Sequence, residues 1–148
     1  MRTLLIAVTF TVLTILSAAC SPAVCRASEP VRLTPPDDEA VSNPPTQGYY
    51  FANEDNSILA SAWWVTEDAP EYDPSQGIKV GWFRPAGETL VIIGRRLDGS
   101  APPLQVEIPC CYPTRFQATG LYFPRSGCWE ITATAGESTL TFVVTIEQ

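Results

Sequence analysis

Five cysteines, at positions 20, 25, 110, 111 and 128, carry the widest chemical repertoire in this 148-residue chain. Thiols serve as redox pairs, as soft-metal ligands or as the halves of disulfides. No Cys-x-x-Cys is present, and the only methionine is Met1, so neither a redox pair nor a thiolate–thioether metal site has its usual spacing. Structural disulfides are therefore the expectation. Side chains of adjacent residues in a strand point to opposite faces, so at most one of Cys110 and Cys111 is well placed for Cys128. Cys128 has the outward parity of its run, opposite to Trp129. Cys111 shares the polar parity of Gln105 and Glu107 if that run continues regularly through Pro109. This favours Cys111–Cys128, with Cys110–Cys128 as the alternative. Cys25 either pairs with the remaining cysteine or stays in the segment before the domain.

The chain contains no histidine. That removes Ser-His-Asp and Cys-His catalysis, imidazole zinc sites and histidine pH switches. Lys79 is the only lysine and lies between Ile78 and Val80, which reads as a solvent-facing strand position rather than half of a Ser-Lys dyad. No serine stands in a Gly-x-Ser-x-Gly elbow. Asp68, Glu71 and Asp73 lack the spacing of a calcium loop and its terminal bidentate glutamate. Paired carboxylates would depend on the fold, not on the sequence. No catalytic residue, metal or cofactor is assigned, and a histidine-independent enzyme ranks third among the functional classes.

Binding chemistry is better represented. Trp63-Trp64 ends an apolar run read as a strand, on which adjacent rings point to opposite sides: either one ring lies outside the core, free to stack on a sugar or a protein partner, or both faces are covered by packing and loops. Arg95-Arg96 places one guanidinium on each face of its strand, either for binding or paired to an acid such as Asp98. The formal charge is −7, and ten of the sixteen acids lie between Glu29 and Asp73, where Arg32 is the only base. A chain of this sign lacks the clustered cations that phosphate contacts need, which excludes nucleic acid as a partner.

The elements that must position these residues fall into three parts. Met1-Arg2, the apolar run from Leu4 to Leu16 and the small residues Ser17-Ala18-Ala19 have the order of an export signal. The run is shorter than the roughly 20 apolar residues that a membrane span requires. Residues 20–48 then form a proline-rich, acidic tether, with Pro22, Pro30, Pro35, Pro36, Pro44 and Pro45 around Asp37-Asp38-Glu39. From 49 to 148 short apolar runs alternate with Gly, Pro, Asp and Asn clusters, which predicts strands near 49–53, 57–65, 78–84, 88–97, 103–109, 117–123, 127–135 and 138–147. Seven or eight strands in a hundred residues predict an all-β sandwich. In the last two runs Trp129, Ile131, Leu140, Phe142, Val144 and Ile146 alternate with polar residues and should line one core.

Two resemblances add to this. Leu16-Ser17-Ala18-Ala19-Cys20 resembles the lipobox of bacterial lipoproteins, with serine where leucine is commoner. It implies cleavage before Cys20, a diacylglycerol on the Cys20 thiol and an acylated amino end, two or three chains being enough for stable anchoring. Ordinary cleavage after Ala19, giving a free secreted protein, is the alternative. Phe123-Pro124-Arg125-Ser126-Gly127-Cys128-Trp129-Glu130-Ile131 resembles the lead-in to the final hairpin of immunoglobulin-like domains in bacterial surface proteins. The stretch from Gly94-Arg95-Arg96-Leu97-Asp98-Gly99 through that hairpin also resembles the C-terminal part of uncharacterised bacterial lipoproteins, and it implies no activity. The widely spaced Cys-Trp-Cys set of antibody domains is missing. The expected protein is a lipid-anchored, extracytoplasmic binding or structural module of the bacterial envelope, with an envelope protein or a glycan as partner. A carbohydrate-binding module using Trp63 or Trp64 is the alternative.

Overall fold

Alternating apolar and polar residues bury one face of each strand, and two sheets packed through those faces exclude water from both. A computed structural model realises this pattern and describes residues 25–38, 47–66, 72–73, 75–110 and 112–147. The expected signal peptide, Cys20 and Cys111 lie outside the described residues. The strands are β1 (Val31–Leu33), β2 (Gly48–Ala52), β3 (Leu59–Ser61), β4 (Ile78–Phe83), β5 (Leu90–Arg96), β6 (Gln105–Glu107), β7 (Phe116–Tyr122), β8 (Gly127–Ala135) and β9 (Ser138–Ile146). They form a six-stranded sheet in the order β1-β2-β3-β4-β7-β6 and a three-stranded sheet in the order β5-β8-β9, with every pairing antiparallel.

Read from β3, this is the ABED and CFG arrangement of a constant-type immunoglobulin domain, with β3 to β9 in the places of A to G. β1 and β2 extend the first sheet beyond strand A. Among the described residues there are therefore nine strands, against the expected seven or eight. One expected strand is also shorter: the run 57–65 pairs only at Leu59–Ser61 and continues as a single 3-10 turn, Trp63–Val65.

The inner faces meet on Trp82, Trp129 and Phe142, each almost fully buried, with Ile131, Leu140, Val144 and Ile146 from the last hairpin beside them. Phe51 stacks on Phe142 with ring centroids 4.1 Å apart. The polar atoms of the buried tryptophans are satisfied: Trp82 Nε1 donates to Thr119 Oγ1 at 2.9 Å and Trp129 Nε1 to the Arg125 carbonyl at 2.9 Å. An indole N–H without a partner at this depth would cost about 1–3 kcal/mol.

The start of the domain differs from the expected tether. Residues 25–38 are docked on the sandwich, not extended away from it. The Ser28 N–H donates to the Val143 carbonyl at 2.8 Å, and its hydroxyl accepts from the Val143 N–H, so this segment covers the outer edge of β9. The chain then crosses to the other sheet, where β1 pairs with β2, and Asp38 Oδ2 accepts from the Phe116 N–H at 2.9 Å. Pro30 and Pro35 flank β1, an edge strand, where proline removes no needed ladder bond.

The disulfide is likewise different. Cys128 is bonded to Cys25, 103 residues away, and not to Cys111 or Cys110. Cys128 does have the outward parity of its strand, since Trp129 and Ile131 face the core. Outward on β8, however, means away from the six-stranded sheet, whereas Cys110 follows β6, an edge strand of that sheet. Cys110 also shares a groove with Leu90, which is at the opposite end of the β5–β8 pair from Cys128. The docked N-terminal segment instead brings Cys25 over β9, with its sulfur 3.4 Å from Thr145 Oγ1, and the bridge buries Cys128. Cys110 is itself disulfide-bonded. Disulfides persist in oxidising compartments, so the bridge is consistent with an extracytoplasmic location. No helix among the described residues is long and apolar enough to cross a membrane.

Candidate functional site

The 3-10 turn after β3 separates the two adjacent tryptophans. Trp64 turns inward, is 8% exposed and donates its Nε1 to the Ser61 carbonyl at 2.9 Å. Trp63 turns outward and is 46% exposed, with its Nε1 held by the Lys79 carbonyl at 3.1 Å. One ring in and one ring out is the first of the two expected arrangements, but a helical turn produces it instead of a strand. The bond to Lys79 fixes the exposed indole, so little side-chain entropy remains to be lost when something stacks on it.

Trp63 stands at a cleft of about 480 Å3 that also contains Tyr72, Asp73, Gln76, Ile78 and Lys79. Its polar wall is a built turn. Asp73 Oδ1 accepts from the Ser75 hydroxyl at 2.7 Å and from the Ser75 N–H, and Oδ2 accepts from the Gln76 amide at 2.7 Å. These bonds, the Ser75 hydroxyl first, hold the Asp73 carboxyl below the usual carboxylate range. Gly77 closes the turn at φ +65°, where a Cβ would meet the Tyr122 ring at 2.7 Å. Tyr72 anchors the wall to the core: its hydroxyl accepts from the Phe123 N–H at 2.9 Å, and burial raises its pKa. An aromatic face beside a carboxylate, an amide and the exposed Lys79 can stack on one side of a ligand while hydrogen-bonding its edge.

The two candidate arginines lie elsewhere and are both occupied. Arg95 points outward from β5 and pairs with Glu130 at 2.7 Å, and Arg96 pairs with Asp98 at 2.7 Å. Neither joins the Trp63 cleft.

A second groove, of about 780 Å3, is lined by Leu90, Ile108, Pro109, Cys110 and Tyr112 around Arg84. Composition does not single out Arg84, yet it is only 3% exposed. It donates Nη2 to the Tyr112 carbonyl at 2.7 Å and Nη1 to the carbonyls of Pro85 and Thr114. Burial lowers its pKa, and the charges of Asp38 and Glu88 oppose that shift. With Nη1 and Nη2 turned onto backbone carbonyls, and Nη2 also onto Gln117 Oε1, Arg84 holds the 112–115 segment in place. It acts as a structural cation rather than as a ligand anchor.

Asp73 belongs to the acidic set considered above for calcium. Among the described residues no three of Cys, Asp or Glu gather closely enough to hold a metal ion. Of the other cleft residues, Lys79 stands on the solvent side as its strand position predicts, whereas Tyr72 and Gln76 are not among the residues that the sequence marks for binding. The signal that could have marked them is Asp73-Pro74-Ser75-Gln76-Gly77, an Asx-type turn sequence placed directly before β4. Compared with protein-family models, with curated proteins and with solved structures, the chain finds no match.

Proposed function

We propose that this protein is a lipid-anchored, extracytoplasmic and non-catalytic binding module of the bacterial cell envelope, and that its ligand is a glycan seated on Trp63. The observation that carries the glycan is the fixed, 46% exposed indole at the mouth of a cleft whose other wall is polar. Sugars present apolar C–H faces and hydroxyl edges, and this pairing of one ring with Asp73, Gln76 and Lys79 suits both. The anchor rests on the Leu16–Cys20 sequence, and the Cys25–Cys128 bridge agrees with an oxidising compartment.

Two measurements test the two parts. Membrane fractionation of wild type and Cys20→Ala should place the first with membranes and release the second; equal release of both would sink the anchor. Purified peptidoglycan sacculi, as the envelope glycan, should co-sediment the protein, and Trp63→Ala should weaken this at least about tenfold, as truncation of an aromatic anchor does. Arg95→Ala, on the other sheet, should pellet like the parent. A protein that stays in the supernatant, or a Trp63→Ala variant that pellets unchanged, overturns the glycan.

A further inference from the structure

We infer that the outer face of the three-stranded sheet lies flat on the bilayer that holds the lipid anchor, with Val91 and Ile93 in contact with the lipid. The inference rests on the lipid anchor proposed above and adds an orientation to it.

Three observations carry it. Val91 and Ile93, both on the outward side of β5, are 50% and 65% exposed, and Ile93 is the barest of the large apolar side chains described. They sit beside Thr134 and Thr132 of β8, so their cross-strand neighbours are uncharged, and the nearest charges on this face, Arg95 and Glu130, neutralise each other. The anchor attaches to this same face. Cys25 is bonded to Cys128, which has the outward parity of Thr132, four residues or about 14 Å along the strand from the neighbour of Ile93. Only four residues separate Cys20 from Cys25, a reach of at most about 18 Å. With the 25–38 segment fastened down, no long spacer lifts the domain, and the acyl chains must enter the bilayer next to this face.

Charge points the same way. In β5, β8 and β9 the only charged side chains on the outward side are Arg95 and Glu130, and they pair with each other. A chain of net charge −7 is repelled by anionic lipid, and this neutral face is one that it can present without that penalty.

The test uses the lipidated full-length chain in vesicles of phosphatidylethanolamine and phosphatidylglycerol (3:1), some containing brominated acyl chains. Ile93→Trp should add emission that is blue-shifted and quenched by the brominated lipid by about half or more. Val31→Trp, at an exposed position on the opposite sheet, should add emission that is neither shifted nor quenched. If the protein floats with the vesicles and the tryptophan at 93 behaves like the one at 31, the docked face is overturned while the anchor stands. If the lipidated chain does not float, or Cys20→Ala floats equally well, the anchor falls and the orientation with it. A blue shift at 93 already present in soluble Cys20→Ala would show a second copy of the chain on this face, and it too overturns the inference.

Discussion

Both sheets bury a largely apolar inner face, with Gln117 and Thr119 of β7 as buried polar members, but their outer faces are finished in opposite ways. On the six-stranded sheet, Tyr50, Leu59 and Phe83 point away from the main core and are nevertheless buried, packed with Leu33, Ala52 and Phe116. Tyr50 and Phe116 both meet the Phe83 ring edge-on, with centroids 6.2 and 5.6 Å away. On the three-stranded sheet five of the eleven outward strand residues are threonines, and Val91 and Ile93 stand in the open. The first face acquires its cover from β1 and the Asp38 contact, that is, from chain outside the immunoglobulin-like strands. The second receives the N-terminal segment only along β9 and at the disulfide. A sandwich needs only its inner faces to fold, so what an outer face shows is free to serve attachment.

The largest test of this contrast is the bridge itself. Cys25→Ser with Cys128→Ser opens a loop closed over 103 residues, for which chain entropy alone gives about 4.7 kcal/mol. The urea midpoint of the double variant should fall accordingly against the oxidised parent. A loss under about 1 kcal/mol would mean that the β9 edge contact and β1 hold the N-terminal segment without the disulfide.

A matched pair of truncations probes the faces directly. Phe83→Ala removes a ring that is 3% exposed on the covered face and should cost about 3 kcal/mol. Ile93→Ala removes a side chain that is 65% exposed on the bare face and should change stability by no more than about 0.5 kcal/mol in solution. Chemical denaturation of the two variants side by side decides the matter. Similar losses would show that the second face is covered after all and would end the distinction.

The inner faces were legible because strand periodicity is local. The run Trp129 to Ala135 needs no partner to show which of its residues face inward, and β8 has the expected bounds. Lys79 was placed on the solvent side for the same reason and is exposed. What could not be read is everything settled by distant chain. β1 has three residues, too few for a period, and its place depends on β2. The partner of Cys128 depended on which sheet each cysteine's strand joins, and parity is silent on that. The Trp63 cleft lies between. Its turn sequence was readable, but that the turn faces Trp63 follows from the register of β4, which carries Lys79 past the indole.

The smallest expected effect concerns the adjacent arginines, which the fold divides between the bare face and the rim. Arg95 makes its pair on the outer face with a side chain that is 72% exposed, so solvent screens most of its worth. Arg96 meets Asp98 at the end of the sheet, above Gly127, whose φ of +128° and lack of a side chain leave room for the pair; a Cβ there would lie 2.6 Å from Arg96 Nε. The hydrogen bond from Arg96, followed by one from the Cys128 backbone, holds the Asp98 carboxyl below the usual carboxylate range. A depressed folded pKa means that the unfolded chain binds the proton more readily. The contribution of Asp98 is therefore complete above the unfolded value near pH 4 and is lost as the pH falls through the folded one. Asp98→Asn should accordingly lower the melting temperature slightly at pH 7, with the gap to wild type closing as the pH falls from 7 to below about 4. Glu130→Gln, on the open face, should leave a smaller gap at pH 7. Thermal melts of the two variants across that range would separate the rim pair from the face pair, and a Glu130→Gln gap as large as that of Asp98→Asn would show that the outer face is less open to solvent than its exposed isoleucine implies.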